Sequence, residues 1–182
     1  MVLKPVIVVL SESGMAIARQ IQNVSDATIY GLETRTQSAD LTYTKFSDLV
    51  PELFSQGHPI IGVCAAGILI RTLASLLTDK RAEPPVLAIA EDGSAVVPLL
   101  GGLNGVNDLA RKIATALNVS PAITTAGELR FQTALLSPPA GWQLVNSDEE
   151  AKTFLADLLA GATVKLIGNS PWLSNLPLDP HS

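Results

Sequence analysis

The chain has little cysteine and little histidine, and both shortages exclude kinds of site. Its 182 residues include one cysteine, Cys64, and two histidines, His58 and His181. A single cysteine can form neither an internal disulfide framework nor a thiolate metal cluster, so we predict no metal site. His58 precedes the strand predicted before Cys64 and His181 lies near the end of the chain, so no Cys-His or Ser-His-Asp arrangement is indicated. This cysteine usage is typical of a reducing compartment, and we expect a cytoplasmic location.

Charge and long apolar runs are also scarce. Charged residues make up 16% of the chain and the net charge is -5, so no basic stripe is present that could neutralise a phosphate backbone. The longest apolar run, residues 59–70, contains two glycines and is shorter than the ~20 residues that span a bilayer. The apolar residues 5–10 are too few for a secretory signal. We therefore expect neither nucleic acid nor a membrane as a partner.

Glycine-rich nucleotide motifs are absent as well. The spacing of the 13 glycines matches neither G-x-G-x-x-G nor a P-loop. Neither a dinucleotide nor a nucleoside triphosphate is therefore indicated as a ligand.

What the chain does have is hydrophobic sequence, 47% of the residues, that alternates between strand-like and helix-like patterns. The β-branched run 5–10 predicts a strand buried on both faces, and the period of 14–22 predicts a helix capped by Ser11 or Ser13. Further strands are predicted at 27–30, 42–46, 59–63 and 121–123, and further helices at 47–55 (capped by Ser47), 65–77 and 107–117. The runs 86–90 and 95–99, on either side of an Asp-Gly turn, predict an antiparallel hairpin. We predict an α/β fold, a three-layer and mostly parallel open sheet of the Rossmann or flavodoxin type with a short antiparallel hairpin.

The pattern changes after residue 126, which predicts more than one domain. Residues 1–126 are expected to form the α/β domain. Residues 127–170, with a helix at 148–159 and a strand at 163–167, are expected to form a smaller α/β extension packed on it. Residues 169–182 are rich in proline, asparagine and serine, and residues 171–182 are interpreted as a linker-like tail that leads to a further domain.

Small and hydroxyl-bearing residues lie at several junctions between a predicted strand and a predicted helix. The junctions are residues 11–14, 64–67, 101–107 and 124–125. Because helix N-termini expose unpaired N–H groups, such junctions favour carboxylates and phosphates. The sequence therefore predicts an anionic ligand, whereas at any single junction the glycines could serve tight connections alone.

A few charged residues and Cys64 are candidates for chemistry. Arg71 interrupts an apolar helix near its start, where its guanidinium could bind a ligand carboxylate or pair with an acid inside the fold. Lys80 lies in a charged turn that could simply be solvated. Glu91 and Asp92 are the candidate catalytic carboxylates, although a turn alone would account for them. Cys64, between two small apolar residues, is interpreted as a packing residue.

The succession of motifs over residues 62–126 resembles the N-terminal part of the CbiG family of cobalamin-biosynthesis proteins. The motifs are Cys64-Ala65-Ala66-Gly67-Ile68, Arg71, Leu76-Leu77, Asp79-Lys80, Pro85-Val86, Glu91-Asp92-Gly93, Leu99-Leu100-Gly101-Gly102, Gly105, Asn107, Leu109-Ala110 and Ile123-Thr124-Thr125-Ala126. The resemblance implies a cobalt-precorrin-5A hydrolase, which opens a lactone of the macrocycle and releases acetaldehyde. The residues after Gly127 resemble the middle region of that family.

The resemblance also implies a ligand, and the strand–helix junctions and the motif positions together give a set of candidate contacts. The substrate is a corrinoid with carboxylate side chains around an apolar macrocycle, and cobalt enters only as part of that substrate. No intrinsic cofactor is expected. The predicted substrate-binding residues are Ser13, Gly14, Gly67, Arg71, Lys80, Gly101, Gly102, Asn104, Asn107, Thr124 and Thr125.

One departure from the family pattern leaves the activity open. Where the family usually has a histidine after the Leu-Leu-[Ser/Gly]-Gly element, this chain has Leu103. The alternatives are a non-catalytic module fused ahead of a precorrin-3B C17-methyltransferase, with S-adenosylmethionine as that domain's cofactor, and an unrelated anion-binding α/β domain. A fused or associated methyltransferase and a homodimer are the open possibilities for a protein partner.

Overall fold

The structure, a computed structural model, describes residues 3–131, 135–136, 138–139 and 141–179. The chain divides into two compact units, Met1–Ile123 and Thr124–Ser182, which we call unit 1 and unit 2. The sequence predicted its first boundary after residue 126. Residues 180–182 of the predicted linker lie outside the described residues.

Unit 1 alternates strands and helices along the chain. Its strands are β1 (Val6–Val9), β2 (Thr28–Leu32), β3 (Leu41–Tyr43), β4 (Ile60–Val63), β5 (Val86–Ile89) and β6 (Val96–Leu100). Its helices are α1 (Met15–Ser25), α2 (Phe46–Ser55), α3 (Ala66–Leu73) and α4 (Val106–Leu117), with 3-10 turns at Glu12–Gly14 and Ala74–Leu76. The predicted strand 121–123 is reduced to a single bridge between Pro121 and Val96.

The strands form one sheet in the order β3-β2-β1-β4-β5-β6. The first five strands are parallel, and β6 is antiparallel to β5. The predicted mostly parallel sheet and its hairpin are both confirmed. From β1 the chain proceeds outward to β2 and β3 and then returns to β4 on the other side of β1. Such a reversal creates a crevice between the carboxyl ends of the two central strands, where open α/β sheets bind ligands.

The burial of the strands shows that the sheet is the middle one of three layers. β1, β4 and β5 are buried along their whole length, as the continuous apolar runs predict. One apolar cluster joins side chains of these strands to α1 and α4, and a second cluster joins them to α2 and α3. Helices therefore cover both faces of the sheet.

The antiparallel β6 determines which edge of the sheet its following loop occupies. Leu100, the last residue of β6, pairs with Val86, the first residue of β5, whereas Val96 pairs with Ile89. Residues 101–105 consequently lie at the amino edge of the parallel strands, opposite the crevice between β1 and β4.

The predicted helix caps are wrong. Neither Ser11 nor Ser13 caps α1, which begins after Gly14, and α2 begins after Lys45 with no side-chain cap. Ser47 lies inside α2 and bonds to Asp48 instead. The serines at the start of α1 have another acceptor, described below.

Unit 2 contains α5 (Ala126–Phe131), α6 (Asp148–Ala160) and a 3-10 turn at Pro171–Leu173. A capping box starts α6, since the backbone N–H of Ser147 donates to Glu150 at 2.9 Å and the N–H of Glu150 donates to Ser147 at 3.4 Å. The predicted strand 163–167 is wrong. Within the described part of unit 2, this segment forms only an isolated β-bridge, between Val164 and Leu178.

Candidate ligand-binding site

A cavity of about 430 Å³ lies at the carboxyl ends of the central strands of unit 1. We call it the switch-point cavity, after the reversal of chain direction between β1 and β4. Four chain segments line it, namely the residues that follow β1, β2 and β5 and the end of β4: Leu10, Ser11, Arg35, Val63, Cys64, Ala65, Ala90 and Glu91. The cavity is therefore in the place where a parallel α/β sheet is expected to bind a ligand.

Two serines and one glutamate join the end of β1 to the turn after β5. The hydroxyl of Ser13 donates to Oε1 of Glu91 at 2.6 Å, and the hydroxyl of Ser11 donates to the same oxygen. Because these bonds stabilise the charged form, they lower the pKa of Glu91 below its usual range. Glu91 is therefore an ionised carboxylate at neutral pH. The predicted ligand contact Ser13 thus has an acceptor within the protein.

Gly14 lets this segment approach the sheet closely. A Cβ atom at Gly14 would lie 3.0 Å from Cγ1 of Val63 and 3.1 Å from Cγ1 of Val9. Packing against the strands thus accounts for this glycine, and its predicted contact with a ligand stays a prediction.

Arg35 supplies a positive charge to the switch-point cavity, and sequence reasoning missed it. Its backbone N–H donates to the carbonyl of Leu32 at 2.9 Å, which fixes the turn after β2. Its side chain is exposed and makes no hydrogen bond or ion pair with the part of the chain that the structure describes. The available signal was a basic residue soon after a predicted strand, since that strand's carboxyl end lies at the edge where ligands bind.

Cys64 packs in the apolar cluster, as predicted, and also borders the cavity. Burial raises the pKa of its thiol to about 11. The thiol is therefore protonated at neutral pH and a poor nucleophile. Tyr43, in the same cluster, donates its hydroxyl to the carbonyl of Val9 at 3.0 Å, which ties β3 to the end of β1.

Arg71 and Gly67 lie together on α3. A Cβ atom at Gly67 would be 3.1 Å from Nη1 of Arg71, so the guanidinium extends back over the first turn of its own helix. Arg71 is exposed, and within the described residues it pairs with no acid. α3 starts at the carboxyl edge, but neither residue is among those that line the switch-point cavity.

Several predicted contacts lie at the opposite edge of the sheet. Gly101 has a φ of +81°, and a Cβ atom there would lie 2.6 Å from the carbonyl oxygen of Pro84. The Asn104 amide donates to the carbonyls of Arg81 and Glu83 at 2.9 and 2.7 Å. These contacts hold the loop before β5 in place.

The remaining predicted residues near that edge differ in exposure. Around Gly102 the structure leaves room for a Cβ atom, with nothing within 4 Å of it. Asn107 is buried in the first turn of α4, whereas Lys80 is exposed in the turn before β5. The structure thus does not bring the residues 80 and 101–107 together with Ser13 and Glu91.

Asp92, the second candidate catalytic residue, stabilises the turn in which it lies. Its carboxylate accepts the backbone N–H of Ser94 at 3.0 Å and the hydroxyl at 2.6 Å, and these bonds lower its pKa. It does not line the switch-point cavity.

Thr124 and Thr125 belong to unit 2, at the start of α5. The carbonyl of Thr125 accepts the backbone N–H of Leu129 at 3.0 Å. Their predicted contact with a ligand stays a prediction.

In the described ranges, no group of three or more His, Cys, Asp or Glu side chains is placed to hold a metal ion. Nor does any helix in these ranges have the length and apolar character needed to cross a membrane.

The family comparison matches residues 48–128 to "Cobalamin synthesis G N-terminal". Two curated relatives are named cobalt-precorrin-5A hydrolase. The protein from Priestia megaterium is 28% identical over 132 residues, which are 68% of this chain and 35% of the relative. The protein from Salmonella typhimurium is 31% identical over 128 residues, 69% of this chain and 36% of the relative. The chain thus aligns with about a third of the length of either relative.

A solved structure supports the fold. The crystal structure of a cobalamin biosynthesis protein G homolog from Sulfolobus solfataricus superposes with a TM-score of 0.53 at 20% identity, covering 96% of this chain and 53% of that one. The order of motifs over residues 62–126, the family match and the two curated relatives agree with one another. The chain belongs to the CbiG family of cobalamin-biosynthesis proteins.

Proposed function

We propose that this chain binds a cobalt-precorrin intermediate of cobalamin biosynthesis in the switch-point cavity, as part of an enzyme of the cobalt-precorrin-5A hydrolase type. The observation that carries the proposal is the match of more than two thirds of the chain to two hydrolases of that name. The cavity at the reversal between β1 and β4 supplies the place for the ligand.

The chemistry of the cavity fits the edge of such a ligand. A precorrin has carboxylate side chains around a broad apolar macrocycle. Leu10 and Val63 offer an apolar wall, and Arg35 offers a cation for a carboxylate. A cavity of about 430 Å³ is smaller than a whole macrocycle with its side chains, so it would hold one edge of the ring.

Lactone opening places three demands on the protein. Water must lose a proton as it attacks the acyl carbon, the negative charge on the acyl oxygen of the tetrahedral intermediate must be stabilised, and the ring oxygen must gain a proton as its C–O bond to the acyl carbon breaks. Release of acetaldehyde then requires the cleavage of a C–C bond in the opened product. Glu91 has one oxygen, Oε2, that accepts no hydrogen bond from the described residues and could orient the water. Its lowered pKa makes it a weak base, so its role would be positioning more than proton removal. With Arg35 bound to a ligand carboxylate, the described residues that line the cavity include no second cation for the oxyanion.

A second candidate is a binding module without hydrolytic activity, for example one that serves a fused precorrin-3B C17-methyltransferase. The observation that favours it is Leu103, at the family's histidine position, together with the weak basicity of Glu91. In the structure residue 103 follows β6, at the edge of the sheet opposite the switch-point cavity.

The experiment is an anaerobic incubation of the chain with cobalt-precorrin-5A, followed by absorption spectroscopy and an acetaldehyde assay. We expect a saturable spectral change, with acetaldehyde if the chain is catalytic. Spectral change without acetaldehyde supports the binding module, and no spectral change contradicts both candidates. If Leu103→His then restores acetaldehyde release, the reaction takes place at the opposite edge, and the assignment of chemistry to the cavity fails.

The remaining expectations are proposals of the same kind. They are a cytoplasmic location, a homodimer, a methyltransferase partner, and cobalt present only within the substrate. Size-exclusion chromatography of the purified chain tests the homodimer directly.

A further inference from the structure

Within the switch-point cavity two opposite charges have unequal surroundings. Oε1 of Glu91 accepts the hydroxyls of Ser11 and Ser13, the latter at 2.6 Å. Arg35 lines the same cavity and makes no side-chain hydrogen bond or ion pair to any described residue. The negative charge is therefore held by the protein, while the positive charge is left to solvent or a ligand.

The carboxylate of Glu91 accepts hydrogen bonds from two serine hydroxyls that could otherwise donate to an anionic ligand. Ser11 and Ser13 lie just before α1, where the helix N-terminus favours negative charge, and their hydroxyl groups are hydrogen-bond donors. Here the chain's own carboxylate, from the turn after β5, accepts both hydroxyls. An incoming carboxylate at the serines would have to displace Glu91 and would meet its charge, which is repulsive in a partly enclosed site.

We propose that Arg35 is the anchoring residue for a single ligand carboxylate in the switch-point cavity, and that Glu91 excludes a second carboxylate from Ser11 and Ser13. This inference rests on the proposed function and names the group that the cavity recognises. The ligand edge that fits has one carboxylate for Arg35 and, beside it, a neutral group or a water for Glu91. Arg35 and Glu91 thereby set which edge of a many-carboxylate macrocycle enters.

The test uses two stable, water-soluble corrinoids as probes. Dicyanocobyrinic acid has free carboxylates at the ring edge, and dicyanocobinamide has amides there. We expect the wild-type chain to bind the acid more tightly, by calorimetry at low salt. Arg35→Gln should weaken binding of the acid by roughly tenfold, the order expected for one charged hydrogen-bonded pair, and leave binding of the amide unchanged.

Matched variants distinguish a specific contact from a change in net charge. Lys112→Gln removes an exposed cation from α4 and should leave both affinities as in the wild type. Glu91→Gln should tighten binding of the acid several-fold, because the repulsion is removed, whereas Glu52→Gln, an exposed acid on α2, should not. Circular dichroism of each variant verifies that the fold is retained.

Two results would overturn the inference in different ways. If the acid binds and Arg35→Gln has no more effect than Lys112→Gln, the ligand carboxylate binds to another part of the protein. The proposed function then stands, but Arg35 is not the anchoring residue. If neither corrinoid binds the wild-type chain, the inference fails, whereas the proposed function fails only if cobalt-precorrin-5A itself produces no spectral change.

Discussion

The two units bury their apolar residues in different ways. In unit 1, β1, β4 and β5 are buried along their whole length, and apolar clusters fill both faces of the sheet. Among the described residues of unit 2 the buried apolar cluster consists of Phe131, Leu158 and Leu176, while Val145 and Ile167 are 92% and 86% exposed. A strand that is buried on both faces requires an unbroken run of apolar residues. Such runs are why the buried strands of unit 1 can be predicted from the sequence.

The positions of the tryptophans allow the unfolding of the two units to be followed separately. The chain has two, Trp142 and Trp172, and both belong to unit 2, where their rings lie 6.0 Å apart. Tryptophan fluorescence therefore reports unit 2, whereas far-UV circular dichroism reports mainly the sheet and helices of unit 1. The two signals can be followed in one denaturant titration.

The largest effect is expected from a cavity in the sheet. Ile61→Ala truncates a side chain with 0% exposure in β4 and should lower the free energy of unfolding of unit 1 by about 4 kcal/mol. Leu158→Ala, at 1% exposure in α6, should cost about 2 kcal/mol, because the small cluster around it can collapse more easily. Ile61→Ala should shift the circular dichroism transition and Leu158→Ala the fluorescence transition. If each variant shifts both transitions equally, the units unfold together and the comparison fails.

The next effect concerns two neighbouring glycines that the sequence could not distinguish. Gly101→Ala should destabilise unit 1 by about 1–3 kcal/mol, because the positive φ is strained for alanine and the new Cβ would press on Pro84. Gly102→Ala meets nothing within 4 Å and should change stability little. Denaturant midpoints measure both, and equal losses would show that the loop after β6 is held differently.

The sequence predicted the fold better than the site, and the hairpin explains why. Runs such as 5–10 and 59–63 gave the buried strands, and Asp92-Gly93 gave the hairpin. The same hairpin turns β6 around, so Gly101 and Asn104 lie at the edge opposite Ser13. That consequence could have been drawn from the predicted hairpin. Arg35 follows a predicted strand, but that signal alone is weak, because only the strand order shows that its loop lies beside a cavity.

Tyr43→Phe tests the hydrogen bond that ties the edge strand β3 to the end of β1. The variant keeps the apolar ring and removes the hydroxyl that donates to the Val9 carbonyl at 3.0 Å. We expect a loss of about 1 kcal/mol in the stability of unit 1 and no shift in the fluorescence transition. An unchanged circular dichroism midpoint would mean that water replaces the hydroxyl without cost.

The last effect appears only at high pH and comes from Cys64. Its thiol has a pKa of about 11 in the folded protein, against about 8.5 in an unfolded chain. Between these values the unfolded state has lost the proton that the folded state retains, so stability falls as the pH rises. Below the unfolded pKa this contribution is fully present. The stability of the wild type should therefore fall more steeply above pH 8.5 than that of Cys64→Ala, and equal slopes would contradict the burial of the thiol.

The most direct test of the account is whether filling the switch-point cavity abolishes binding of cobalt-precorrin-5A. Ala65→Phe places a ring into the cavity from the exposed residue before α3, and Ala16→Phe places the same ring on an exposed position of α1 as the control. In an anaerobic spectral titration the account predicts saturable binding to the wild type and to Ala16→Phe, with loss of binding to Ala65→Phe. Equal binding by all three proteins would contradict the assignment of the ligand to this cavity.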